Sequence, residues 1–192
     1  MNTYFEQALF FLMKTVIDVC FFFFLLRFMF HILRIDFYNP FSQFIFKVTN
    51  PILIPLRRVI PPHPKVDFGA FLILIFLKAF EFTITCLLKL HAAPSMLSLL
   101  IWPIGELISQ MINVFFFAIL LLVLQSWLNP KNFNPLTTVL IQLTEPVLAP
   151  AKKLVPTIAG IDVSPMIAIV ILKLLDILLA GPIIQFGASW SY

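Results

Sequence analysis

Four long apolar blocks, separated by short polar stretches, decide most of what this chain can become. They cover residues 10–33, 68–90, 99–128 and 165–186, with ends blurred by a few residues. A helix rises about 1.5 Å per residue, so about 20 residues cross the roughly 30 Å hydrocarbon core of a bilayer. Backbone N–H and C=O groups cannot stay unpaired in lipid, which leaves helices or a closed barrel. Barrel strands alternate in polarity, whereas the runs 21–24 and 119–124 are continuously apolar. Helices are therefore expected. Composition agrees: 61% of the 192 residues are hydrophobic and 11% charged, too little polar surface for a water-soluble domain of this size. The expected fold is an all-α integral membrane protein with four transmembrane helices. The third block is long enough to tilt, and Pro103 and Gly105 near its start suit an interfacial beginning. The opening residues lack the positive region of a cleavable leader, so the first block is expected to remain as an anchor.

Between the first two blocks lies a stretch, residues 39–61, that is neither soluble loop nor span. Phe41, Phe44, Ile45 and Val48 recur at i, i+3, i+4 and i+7, one face of an amphipathic helix. Asn39 followed by Pro40 marks its start, since proline has no N–H to lose at the first helical position. Pro51 and Pro55 each remove a helical hydrogen bond, so the second half is expected to be short, kinked or partly extended. The stretch ends at Arg57, Arg58 and Pro61, and is expected in the membrane interface or dipping back into it.

Shifting the sequence by 95 residues superposes it on itself without a gap. Asn39 and Pro40 fall on Asn134 and Pro135, and Pro51 and Pro55 on Pro146 and Pro150. Arg57 and Arg58 meet Lys152 and Lys153, Pro61 meets Pro156, and Asp67 meets Asp162. The register continues into the next block, where Lys78 meets Lys173 and Glu81 meets Asp176. The chain thus reads as two tandem copies, 1–95 and 96–192, each helix, amphipathic interfacial segment (39–61 or 134–156), helix. Two crossings per copy make the copies parallel, related by an axis along the membrane normal. Both interfacial segments then share one face. Their basic residues, with Lys65, assign it to the cytoplasm and the termini to the outside.

Charges inside the blocks are the candidate chemistry. Inserting one costs about 2.5–3.5 kcal/mol, so such residues pair or face a wet interior. Lys78 and Glu81, like Lys173 and Asp176, are three apart on one helix face. One reading is two local ion pairs packed on neighbouring helices and tying the halves together; the other is the polar lining of an ion or solute path. Asp18 has Asn113 as its repeat partner, which suggests a shared hydrogen-bonding position in the bundle core. Arg27, near a span end, is expected to snorkel. Cys20 and Cys86 read as small packing residues, and His31, His63 and His91 share no ligand spacing, so no metal or cofactor is expected. No phosphate-binding or hydrolase motif points to an enzyme. Basic loops of a membrane protein mark sidedness rather than nucleic acid, and none is expected as a partner.

The run from Asp36 to Pro61, with DFYNPFSQF and then P-x3-P-x-R-R-V-I-P, closely resembles the bacterial YggT family, as does the second copy from Asn134 with IDVSPM near its end. The likeness spans nearly the whole chain, because members carry two tandem copies of this module. It implies a multi-pass protein of the bacterial inner membrane, linked to cell division and osmotic or ion stress. For plastid relatives the links are to nucleoid distribution and cytochrome b6 maturation. Lys152 and Lys153 depart from the arginines of the motif, which weakens bidentate anion binding there. The function expected is a non-enzymatic scaffold or assembly factor contacting membrane lipids and a protein partner. The alternative is a small homo-oligomeric channel or transporter using the intramembrane charges.

Overall fold

The computed structural model describes residues 4–61, 63, 64, 66–128, 134–154 and 162–189. Pro156 and Lys65 lie outside the described residues. Among those described, every regular element is a helix. Helix α1 (Tyr4–Leu33) leads to α2 (Pro40–Arg57), then α3 (Phe68–Thr85), which passes into a π-helical turn, Cys86–Leu90. The second copy repeats the order with α4 (Met96–Leu128), α5 (Pro135–Leu154) and α6 (Ser164–Leu175), then a π turn, Asp176–Ala180, and α7 (Gly181–Ser189). Four helical stretches are long and apolar enough to cross a membrane: Tyr4–Leu33, Phe68–Leu88, Met96–Leu128 and Ser164–Ser189. They coincide with the four blocks read from sequence.

The interfacial segments start as expected and end differently. Asn39 Oδ1 accepts the Phe41 N–H at 2.9 Å, and Asn134 Oδ1 accepts the Thr137 N–H at 2.8 Å, so both copies use the same cap. The break expected at Pro51 and Pro55 does not occur: α2 runs through both to Arg57, and α5 runs through Pro146 and Pro150. The reason is their spacing of four. The bonds they forfeit would end on the carbonyls of Lys47 and Pro51, and Lys47, Pro51 and Pro55 form one exposed strip, where the orphaned oxygens need no protein partner.

The packed face of α2 is also rotated from the one expected. Ser42, Ile45, Thr49 and Leu53 are buried, while Phe44 and Val48 point outward. The helix therefore carries two apolar strips, one for its neighbours and one for the surroundings, as an interfacial helix requires. Thr49 and Thr144 are both fully buried and return their hydroxyls to the carbonyls four residues back, at 2.8 Å in each copy.

Association in lipid gains little from hydrophobic burial and depends on close packing and polar contacts. α4 and α7 supply the first. A methyl added at Gly105 would sit 2.9 Å from the Ile184 backbone nitrogen, and one at Gly187 would sit 2.7 Å from that of Trp102. Only glycine lets these backbones approach so closely.

Candidate functional site

The charges within the long apolar helices gather into two clusters that follow the repeat position by position. In the first copy, Lys78 of α3 donates to Asp18 Oδ1 of α1 at 2.9 Å and to Glu81 Oε2 at 2.6 Å. Its ammonium also stands 4.5 Å from the ring centroid of Phe21. In the second copy, Lys173 donates to Asn113 Oδ1 of α4 at 2.9 Å, approaches Asp176 Oδ2 at 3.5 Å, and stands 4.8 Å from the Phe116 ring. Every one of these residues is 95 positions from its counterpart. Each i, i+3 pair lies close together on its own helix. Asp18 and Asn113 occupy equivalent hydrogen-bonding positions, but at the edge of the bundle rather than in the core that sequence reasoning expected, Asp18 remaining 43% exposed.

A fourth member escaped that reasoning. Lys14 donates to Glu81 Oε1 and lies 3.9 Å from Asp18 Oδ2. Its counterpart Ser109 donates to Asp176 Oδ1 at 2.7 Å. Each copy therefore holds a tetrad: Lys14, Asp18, Lys78 and Glu81 in the first, Ser109, Asn113, Lys173 and Asp176 in the second. Both sum to zero formal charge, the first with two cations and two anions, the second with one of each. Lys78 and Glu81 are buried, whereas Lys14, Asp18 and Lys173 each keep 43–46% of the side chain exposed. The tetrads tie the two long helices within each copy, rather than one half to the other. The halves meet where α3 packs on α4, with Phe82 stacked on Trp102; Glu106 of α4, hydrogen-bonded to Gln110, lies within electrostatic range of Lys78, Glu81 and Lys14.

At the other end of the bundle, arginines clamp the interfacial helices. Arg27 does not snorkel. It is buried, donates to Thr49 Oγ1 at 3.1 Å and Asn50 Oδ1 at 3.0 Å, and lies 4.1 Å from the Phe46 ring centroid. It thereby pins α2 to α1; its counterpart, Leu122, cannot repeat this. Arg57 is not a spare surface charge either. It pairs with Asp67, which is fully buried and caps α3 by accepting the Ala70 N–H at 3.2 Å. In the second copy Asp162 accepts the Ser164 N–H at 2.9 Å, with Lys152 within electrostatic reach. Arg58, Lys152 and Lys153 are exposed, and Pro61 is exposed beyond the end of α2.

The two interfacial helices are joined directly. The Asn39 side chain donates to the Pro135 carbonyl at 2.7 Å, and Gln142 Oε1 accepts the Asp36 N–H at 3.0 Å. Between the copies, α1, α4 and α5 enclose a groove of about 480 Å³ lined by apolar side chains, with Gln110 and Asn113 its polar members. No cluster suited to a metal ion occurs among the described residues.

Comparison with known proteins places this architecture. The CCB3/YggT family matches twice in tandem, over residues 6–88 and 101–183. The uncharacterized protein YggT of Escherichia coli is 39% identical over 174 residues, 88% of either chain. An uncharacterized protein of Pseudomonas aeruginosa is 39% identical over 155 residues, 80% of this chain and 79% of its own. One from Vibrio alginolyticus is 33% identical over 177 residues, 90% and 95% of the two chains. No solved structure matches. With both tandem segments matched and relatives aligned over most of their length, the chain belongs to the CCB3/YggT family of membrane proteins.

Proposed function

We propose that this protein is a non-enzymatic scaffold of the bacterial inner membrane, presenting α2 and α5 as one rigid platform to a protein partner and to anionic lipid. The observation that carries this reading is the fixing of the platform from three sides. Arg27 grips α2 from within the bundle, the Arg57–Asp67 pair ties it to α3, and Asn39 and Gln142 join it to α5. What remains outward is apolar and basic together: Phe44, Val48, Ile52 and Ile141 beside Arg58, Lys152 and Lys153. That pairing suits a surface lying against headgroups while gripping a partner. The positive charge supports a cytoplasmic face. The tetrads, internally paired and neutral, serve as struts.

The test is photocrosslinking in native membranes from positions 44 and 141, with position 76, exposed on α3, as the lipid-facing control. A discrete protein adduct from the platform that weakens several-fold in R58Q/K152Q/K153Q supports the reading. Adducts equal to those from position 76 would overturn it. Arg57 is left intact, because its loss would strand buried Asp67.

One observation favours the second reading, an oligomeric path for an ion or solute: Lys14, Asp18 and Lys173 are half-exposed at membrane depth. Ion flux through reconstituted protein, altered by K173A, would establish it.

A further inference from the structure

The same half-exposed charges point to how copies of the chain meet. Inside the chain, α4 is a wedge between two helices. Ser109 and Asn113 bond the second copy's own Asp176 and Lys173. Glu106 and Trp102, about one and two turns further out, turn to α3: Trp102 stacks on Phe82 with ring centroids 4.6 Å apart, and Glu106 lies within electrostatic range of Lys78. α1 occupies the equivalent place in the first copy, yet has only half of these contacts. Lys14 and Asp18 bond α3, while Gln7 and Phe11, the counterparts of Trp102 and Glu106, are exposed.

The other flank shows the complementary deficit. On α3, Lys78 is 3% and Phe82 7% exposed, covered where α4 packs. Their counterparts Lys173 and Ile177 are 43% and 66% exposed, because α6 packs on α4 and α5 and, among the described residues, has no such helix on its far side. Lipid covers apolar residues well, but not an ammonium and a carboxylate at the depth of the tetrads. Since the copies are parallel, the polar patches on the two flanks stand at the same depth. On one molecule, α1 leaves exposed the face that α4 turns to α3, and α6 leaves exposed the face that α3 turns to α4, so the two flanks can make a heterologous interface.

We propose that copies of this chain assemble head to tail in the membrane, the α6 face of one protomer seating on the α1 face of the next as α3 seats on α4 inside each. Ile177 then lies against Gln7 of the neighbour, as Phe82 lies against Trp102. This holds whichever reading of the function is correct.

The experiment is oxidative crosslinking in native membranes of Q7C/I177C, in a chain with Cys20 and Cys86 replaced by serine and alanine. F82C/W102C in the same background is the control for folding, since it reports the internal junction. The expected result is a ladder at multiples of 22.0 kDa from Q7C/I177C, with F82C/W102C closing within one chain. Neither Q7C nor I177C alone should give more than trace dimer. Two outcomes overturn the proposal: no adduct from Q7C/I177C while the control closes, or dimers from either single cysteine as strong as those from the pair, which marks a two-fold interface instead.

Discussion

Replacing Lys78 by methionine should be far more damaging than the same change at its repeat counterpart, Lys173. Methionine keeps most of the aliphatic stem and removes the charge, so the comparison isolates electrostatics. Lys78 is buried and serves two carboxylates, at 2.9 Å and 2.6 Å. Its loss leaves Asp18 and Glu81 facing each other with Lys14 as their one neutralising partner. Removing one member of a buried ion pair costs about 3–5 kcal/mol. Interhelical polar contacts in membranes average nearer 0.6 kcal/mol, because the separated helices also find partners. Lys78 serves two acceptors and sits beside a buried acid, so we place K78M at about 3 kcal/mol. Lys173 makes one bond to a neutral amide, lies 3.5 Å from Asp176, and keeps 43% of its side chain exposed. Asp176 also retains the Ser109 hydroxyl. K173M should therefore cost about 1 kcal/mol or less. The assay is reversible unfolding in mixed micelles of rising SDS fraction, followed by a probe of the α1–α3 contact. Equal losses from the two substitutions, or a larger loss from K173M, would refute the argument that burial and ionic partners separate the tetrads.

The tetrads make a second demand: K14S/D18N gives the first copy the composition of the second, so the double variant should unfold within about 1 kcal/mol of wild type, whereas D18N alone, leaving net charge +1, should cost about 2 kcal/mol. The same unfolding assay reads both, and additive losses would count against it. At the α4–α7 crossing, G187A must push Trp102's backbone away from a 2.7 Å approach and should lose about 1–3 kcal/mol; G181A, whose added methyl would meet no atom nearer than 3.7 Å, should be neutral or slightly stabilising. For the platform, R27M leaves α1 intact but frees α2, so amide exchange along Pro40–Arg57 should rise at least tenfold while exchange in α1 stays unchanged.

Much of this was written plainly in the sequence. Spans follow from the length of the apolar blocks, and the caps Asn39 and Asn134 from residues whose side chains can serve a helix start. The i, i+3 pairs follow from helical geometry within one element. What sequence missed lies between elements. Lys14 was hidden because its partner Glu81 is on another helix, although two signals pointed to it: it is four residues before Asp18, and its repeat counterpart is the polar Ser109. Phe21 and Phe116 could not be singled out among 23 phenylalanines until the lysines were seen beside their rings. Arg27 was misread because proximity to a span end suggests escape to water, while the chain reversal that brings Thr49 and Asn50 over it is a tertiary event. The prolines misled for a local reason: one proline breaks a helix, but two spaced by four put both lost bonds on a single outward strip.

The measurement that bears most directly on the struts is ion flux through proteoliposomes holding folded, inserted protein, wild type beside K173A. Because the tetrads are neutral ties between helices and the groove between the copies is apolar, both proteins should match empty liposomes across the common cations and anions. A flux from the wild-type protein that K173A alters would contradict it, and would make the second tetrad part of a conducting path.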